Sequence, residues 1–186
     1  MSKKVLIVYG TRYGATESTS QEINKVLSES GLDTTVINAG KERVKDISVY
    51  DMAIVGSGMQ MGKWTGAAED FLKKYKKELS QKKTAIFVSS AAEALMKYDK
   101  NNEELEKINK QYLEDKATNY GLNPISKVIF GGVWDFNKMS FIFRKTMSPF
   151  KIKIKEAGFK EVSPGRYDTR DWEVIRNWAK DIASKV

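Results

Sequence analysis

The 186-residue chain contains no cysteine and no histidine. Those two absences remove disulfide and thiol redox chemistry, thiolate nucleophiles, the common zinc sites and the Ser-His-Asp triad. No metal site and no side-chain catalyst is expected, so any demanding chemistry falls to a bound organic cofactor. Proline is scarce, at 3 residues, and no Gly/Ser-rich tract, Pro-rich tract or internal repeat interrupts the chain. Nothing therefore reads as linker or disorder. Long apolar runs are missing too: Val5 to Tyr9, behind two lysines, is far too short for a signal-peptide core, and no stretch approaches a membrane span. A single domain over residues 1–186, in the cytoplasm, is the expectation.

Acid is lacking in one place. The chain carries 32 Lys+Arg against 24 Asp+Glu, a net charge of +8. The segment with Lys138, Arg144, Lys145, Lys151, Lys153 and Lys155 contains no Asp or Glu between its ends. A surplus of this kind asks for an anionic partner, whether an acidic metabolite, an acidic protein or an anionic lipid surface. The last would bring residues 138–155 to the inner face of the membrane. Charge is the sole argument for nucleic acid, and no nucleic-acid partner is expected.

What the chain does have is alternation. Val5-Leu-Ile-Val-Tyr9, Met52-Ala-Ile-Val55, Thr84 to Ser89 and Val128-Ile-Phe130 are too uniformly apolar for strands with one wet face, and Thr34 to Asn38 is a weaker strand. Helical spacing fills the intervals: Ile23, Val26 and Leu27; then Ala68, Phe71, Leu72, Tyr75 and Leu79; then Leu105, Ile108 and Tyr112, with Asn101 or Asn102 as N-cap. Trp172, Ile175, Trp178, Ala179 and Ile182 form the core-facing stripe of a last helix. Five strand-helix alternations predict an α/β fold, a doubly wound five-stranded parallel sheet with helices on both faces. Ligands of such sheets sit at the carboxyl ends of the strands.

Three loops lie at those ends. Gly10-Thr-Arg-Tyr-Gly-Ala-Thr16 joins a buried strand to a helix and offers hydroxyls, small residues that expose amides, an arginine and the positive end of a helix dipole, which together suit a phosphate. The same residues are ordinary turn and N-cap formers, and it is their place at the first crossover that directs them to phosphate. The dinucleotide glycine fingerprint and the P-loop lysine are both missing, which disfavours NAD and ATP. Gly56-Ser-Gly-Met-Gln-Met-Gly-Lys-Trp64 follows the third strand. Its glycines let the backbone approach a flat ring, and Met59, Met61 and Trp64 supply polarizable surface to lie against it. Val88-Ser-Ser-Ala-Ala92 is the third. A receiver domain would need carboxylates where Tyr9, Gly56 and Ser57 stand, and a low-molecular-weight tyrosine phosphatase would need a cysteine.

Thr11-x-x-Gly14-x-Thr16 behind a buried first strand resembles the phosphate loop of flavodoxins. That resemblance implies a flavodoxin-like sheet of strand order 2-1-3-4-5 and FMN as cofactor. Carried over residue by residue, it assigns the phosphate to Thr11, Arg12, Tyr13, Gly14, Ala15 and Thr16. Ring contacts fall to Ser57, Gly58, Met59, Gln60, Met61 and Gly62 and to Ser89, Ser90 and Ala91, with Trp134 and Asp135 near the exposed edge.

After the fifth strand, Gly131-Gly-Val-Trp-Asp-Phe-Asn-Lys-Met-Ser-Phe-Ile-Phe-Arg-Lys-Thr-Met147 opens a basic, aromatic insertion over about 133–156. Together with Tyr167-Asp-Thr-Arg-Asp-Trp172, it looks like the menaquinone-dependent protoporphyrinogen dehydrogenases, flavodoxin-like enzymes of haem synthesis. This likeness implies an FMN-dependent oxidoreductase that passes electrons from a reduced small molecule, such as a porphyrinogen, through FMN to a quinone or other acceptor. The alternative is a flavodoxin electron shuttle that docks on protein redox partners. The resemblance makes the insertion a helix, although the alternation in Phe150-Lys-Ile-Lys-Ile-Lys155 has the period of a strand.

Overall fold

Strands that are apolar on both sides need cover on both faces, and the fold supplies it. The computed structural model describes residues 2–186. β1 (Lys4–Gly10), β2 (Asp33–Asn38), β3 (Met52–Gly58), β4 (Lys83–Ser89) and β5 (Ser126–Phe130) form a parallel sheet in the order β2-β1-β3-β4-β5. The helices that follow are α1 (Ala15–Glu29), α2 (Gly66–Lys74), α3 (Lys76–Leu79), α4 (Ala91–Tyr98), α5 (Asn102–Asn109), α6 (Asp115–Asn119), α7 (Phe141–Glu156) and α8 (Trp172–Ala183). A π-helical turn, Lys110–Glu114, joins α5 to α6.

Successive side chains of a strand point to opposite faces, so each apolar strand feeds two cores. Val5, Ile7, Met52, Ile54, Ala85 and Phe87 pack under Ile23, Val26 and Leu27 of α1 and Ile175, Ala179 and Ile182 of α8. Leu6, Val8, Ala53, Val55, Ile86 and Val88 pack under α2, α3 and the helical stretch 102–119. Each fully buried Val, Leu or Ile is worth about 1.5–3 kcal/mol, which fixes the sheet as the rigid base of the molecule. Local chemistry sets the helix starts. Asn101 accepts from the Glu104 amide, and Asp171 accepts from the amides of Glu173 and Val174.

Two elements were not expected from the sequence. Ala91–Tyr98, which begins inside the third loop and for which the sequence pattern assigns no element, is helix α4. Beyond β5, the chain adds a small antiparallel sheet of β6 (Val133–Asp135), β7 (Glu161–Ser163) and β8 (Arg166–Asp168) in the order β6-β8-β7. The segment between β6 and β7 is helical, as the resemblance implied. Ile154 is fully buried while Ile152 is 64% exposed; residues two apart on a helix lie about 200° apart, which mimics strand alternation. Ile154 joins Leu95, Phe136, Met139 and Tyr167 in a third, smaller core.

This excursion closes on itself. The Gly132 amide donates to Thr169 Oγ1 at 3.1 Å, and the Thr169 amide donates to the Gly132 carbonyl at 2.9 Å. Among the described residues no helix is long and apolar enough to cross a membrane.

Candidate functional site: a cleft at the carboxyl ends of the strands

The loops after β1, β3 and β4 and the first strand of the small sheet enclose a cleft of about 370 Å³, within the range of small-molecule sites. A broader groove runs beside it over the first turns of α1.

The β1 loop is built to present amides. Gly14 takes φ 92, a left-handed conformation that suits glycine, and its amide donates to Thr11 Oγ1 at 2.9 Å. No side chain caps α1, so the positive end of the helix keeps donors to offer. Thr16 is 1% exposed, and its hydroxyl has no partner. Gly58 faces it, where a Cβ would stand 3.1 Å from Thr16 Oγ1 and 3.7 Å from the Arg12 amide. Gln60 Nε2 donates to Tyr13 Oη at 3.1 Å, Arg12 Nη2 to the Trp64 carbonyl at 3.3 Å, and Lys138 Nζ to the Tyr13 carbonyl at 3.3 Å. The first loop is thus tied to the second and to the insertion.

The second loop ends in a tight turn. Gln60 and Lys63 exchange backbone hydrogen bonds at 3.2 and 3.1 Å, with Met61 at φ 52 and Gly62 at φ 73. Positive φ at both central residues is the geometry of a type I′ turn; it holds Met61 80% exposed at the cleft mouth. Trp64 does not offer its face to a ring, correcting the expectation from sequence. It is 3% exposed in the core beneath α2, and its indole N–H donates to the Tyr112 carbonyl at 3.0 Å. Tyr112 lies in the π-helical turn, where the regular helical hydrogen-bond pattern is shifted.

At the end of β4, Ser89 is buried and its hydroxyl has no partner, while the Ser90 amide donates to the Phe130 carbonyl at 2.9 Å. Opposite, Trp134 lies between Phe136 and Phe150, with interplanar angles of 17° and 19° and centroid separations of 6.3 and 6.2 Å. Its indole N–H is buried and unpartnered.

Most residues named from the sequence meet here. Thr11, Arg12, Tyr13, Ala15 and Thr16, the run Gly58, Met59, Gln60, Met61 and Gly62, then Ser89, Ser90, Ala91 and Trp134 all line the cleft. Three expected contacts stand off its wall. Ser57 is fully buried, with its hydroxyl on Thr65, because strand alternation turns it away from the side where Gly58 lies. Asp135 follows Trp134 on one strand, so the two side chains point to opposite faces; Asp135 and Gly14 line the outer groove instead.

Sequence reading missed Met96, Tyr112, Met139, Met147 and Phe150 on the wall. Tyr112 had been placed only in a helical stripe, and Met96 sits on the unforeseen α4.

Two ionisable groups flank the site. Burial, then the neighbouring Glu17, pushes the Tyr9 phenol up to about 12. Burial also pushes Asp168 up, but the hydrogen bonds and charge of Arg170 together prevail and hold its carboxyl below the ordinary 3.8.

A parallel sheet in this order, with its cleft at the strand carboxyl ends, defines an α/β domain of the flavodoxin fold. Residues 6–160 match the flavodoxin domain family, and the chain belongs to it. Over nearly its whole length it is similar to protoporphyrinogen IX dehydrogenase (quinone) of Escherichia coli strain K12, 24% identical over 186 residues that cover 97% of this chain and 94% of that protein. The enzyme of the same name from Leishmania major is 23% identical over 188 residues, covering 98% and 76%. Among solved structures, a flavodoxin of Streptococcus pneumonia TIGR4 superimposes with a TM-score of 0.56 at 18% identity, covering 98% of this chain and 99% of that one. Flavodoxin 1 of Bacillus cereus gives 0.51 at 17%, covering 83% and 98%. These structural likenesses show the fold.

Proposed function

We propose that the cleft holds FMN and that the protein is an FMN-dependent oxidoreductase, taking electrons from a reduced porphyrinogen-like molecule and delivering them to a quinone. One observation carries this reading: Thr16 Oγ1, Ser89 Oγ and Trp134 Nε1 are buried without partners around a single cleft. Buried polar atoms are nearly always hydrogen-bonded, and three of the seven unpartnered ones among the described residues belong to side chains that line this cleft, which supports a polar ligand there.

The donor set fits FMN. The open end of α1, the Thr11 and Thr16 hydroxyls and Arg12 suit a terminal phosphate. Gly58, Gly62 and the backbone of residues 89–91 leave room for a flat ring, and Ser89 and Trp134 offer it hydrogen-bonding groups. Bound FMN supplies the two-electron chemistry that these side chains lack. The protein's part is to bind, orient and exclude water. Met139, Met147 and Phe150 give the cleft an apolar wall beside the ring site, suited to a flat substrate, and Lys138 on the adjoining groove offers a cation to its carboxylates. The names of the two dehydrogenases above support the choice of porphyrinogen and quinone.

Purified protein is expected to be yellow, or to quench added FMN fluorescence at micromolar concentration, and to couple protoporphyrinogen oxidation to menaquinone reduction. Colourless protein that quenches nothing would sink the cofactor assignment. FMN binding without turnover would remove the substrates and leave an electron shuttle with a protein partner.

A further inference from the structure

We propose that the outer face of α7 is a docking surface for an anionic lipid bilayer. At about 100° per residue, Phe141, Ile142, Lys145, Pro149 and Ile152 fall within one arc roughly 100° wide. Phe141 is 77% exposed, Ile142 78% and Ile152 64%. Isolated exposed apolar residues need no explanation, but three large ones on one side of one helix do. The opposite side is already used, since Ile154 is buried against Leu95, Phe136, Met139 and Tyr167.

Charge identifies the occupant. Arg144 and Lys155 border the apolar arc, and both are exposed. Glu156, the last residue of α7, is the arc's acid. Three further cations of the segment have partners within the protein: Lys153 pairs with Asp99, Lys151 lies over the Phe136 ring, and Lys138 approaches Asp135. They still add to the positive field. Large apolar side chains flanked by Lys and Arg are what a helix lying in the headgroup region of an anionic membrane requires. A second copy of the chain fits worse, because a twofold contact would set this cationic face against itself. An acidic protein would answer the charge but not the three apolar side chains.

Phe150 and Met147 of the same helix line the cleft, so docking on α7 sets the cleft mouth close to the bilayer. The proposal does not depend on the flavin, and vesicle binding can be measured with and without added FMN.

The test is sedimentation of the full-length protein with vesicles of phosphatidylcholine alone and of phosphatidylcholine mixed with phosphatidylglycerol. Binding is expected to the mixed vesicles only and should weaken as salt rises. Arg144→Gln and Lys155→Gln should each reduce it about fivefold, and Ile142→Asn with Ile152→Asn should abolish it. These sites are exposed, so circular dichroism should be unchanged; the salt series on unsubstituted protein gives a second reading that needs no variant. Equal binding to both vesicle types, no binding to either, or a dimer in sedimentation velocity that the same substitutions dissolve would overturn the proposal.

Discussion

Arg170 grips Asp168 with two nitrogens at once, Nε to Oδ1 at 2.9 Å and Nη2 to Oδ2 at 2.6 Å, on a side chain only 3% exposed. Its third nitrogen, Nη1, donates to the Ala15 carbonyl at 3.0 Å and also to Ser18 Oγ. The guanidinium stacks on Trp172, 4.3 Å from the ring centroid. One planar fork therefore fastens the end of the small sheet to the first turn of α1, whose Ala15 and Thr16 line the cleft.

Arg170→Gln should loosen that turn and so weaken the grip on a phosphate more than on a ring. The expected outcome is about a tenfold loss of FMN affinity, near 1.4 kcal/mol, with riboflavin affinity changed far less. Calorimetric titration with the two ligands checks it; an equal loss for both would make Arg170 a purely structural brace.

Thr16→Val removes the orphan hydroxyl while keeping the side chain's shape. FMN affinity should fall by roughly 1.5–3 kcal/mol, the worth of a hydrogen bond to a charged group. The flavin-free protein should melt at the same temperature or higher, since it loses a buried polar atom that had no partner. A lower melting temperature in the flavin-free state would show that the hydroxyl serves the fold.

Met61 holds a backbone conformation that costs a non-glycine residue about 1–2 kcal/mol. Met61→Gly should raise stability in urea by part of that amount and should also weaken flavin binding, because it removes side-chain surface at the cleft mouth. Gain in stability with unchanged affinity would detach the turn from the site.

Tyr9 and Tyr120 are both pushed up to about 12, by burial first and then by Glu17 and Glu69 respectively. A phenol whose value is raised in the folded state stabilises the fold fully below its unfolded value near 10 and loses that contribution as pH climbs toward 12. The urea midpoint should therefore hold up to about pH 10 and fall beyond it. Tyr9→Phe should flatten part of the decline; an unaltered slope would deny the shift at Tyr9.

The sheet was legible because burial on both faces leaves uniformly apolar runs, as in Val5 to Val8 and Met52 to Val55. The cleft was legible where loop chemistry decides it, at Thr11, Thr16 and Gly58. Side-chain direction was harder. Ser57 and Asp135 were read as neighbours of the ligand because they adjoin Gly58 and Trp134, yet alternation sends adjacent strand residues apart. Trp64 resembled an exposed ring-binding residue, until its indole N–H found the Tyr112 carbonyl 48 positions away. Strands of three residues, such as Val133–Asp135 and Arg166–Asp168, carry too few positions for any period to show. The clamp that Arg170 makes was invisible for another reason: its Ala15 partner lies 155 positions distant in the chain.

The paired bonds between Gly132 and Thr169 make a neck, and everything from β6 to β8 hangs beyond it. A chain that turned directly from one of these residues to the other could still complete every ladder of the main sheet and keep α1 and α8 on its face. It would lose Trp134, Met147 and Phe150 from the wall of the cleft and Asp168 from the Arg170 clamp. Mutation and selection can thus reshape one wall of the cleft while leaving the folding of the main sheet that carries it undisturbed.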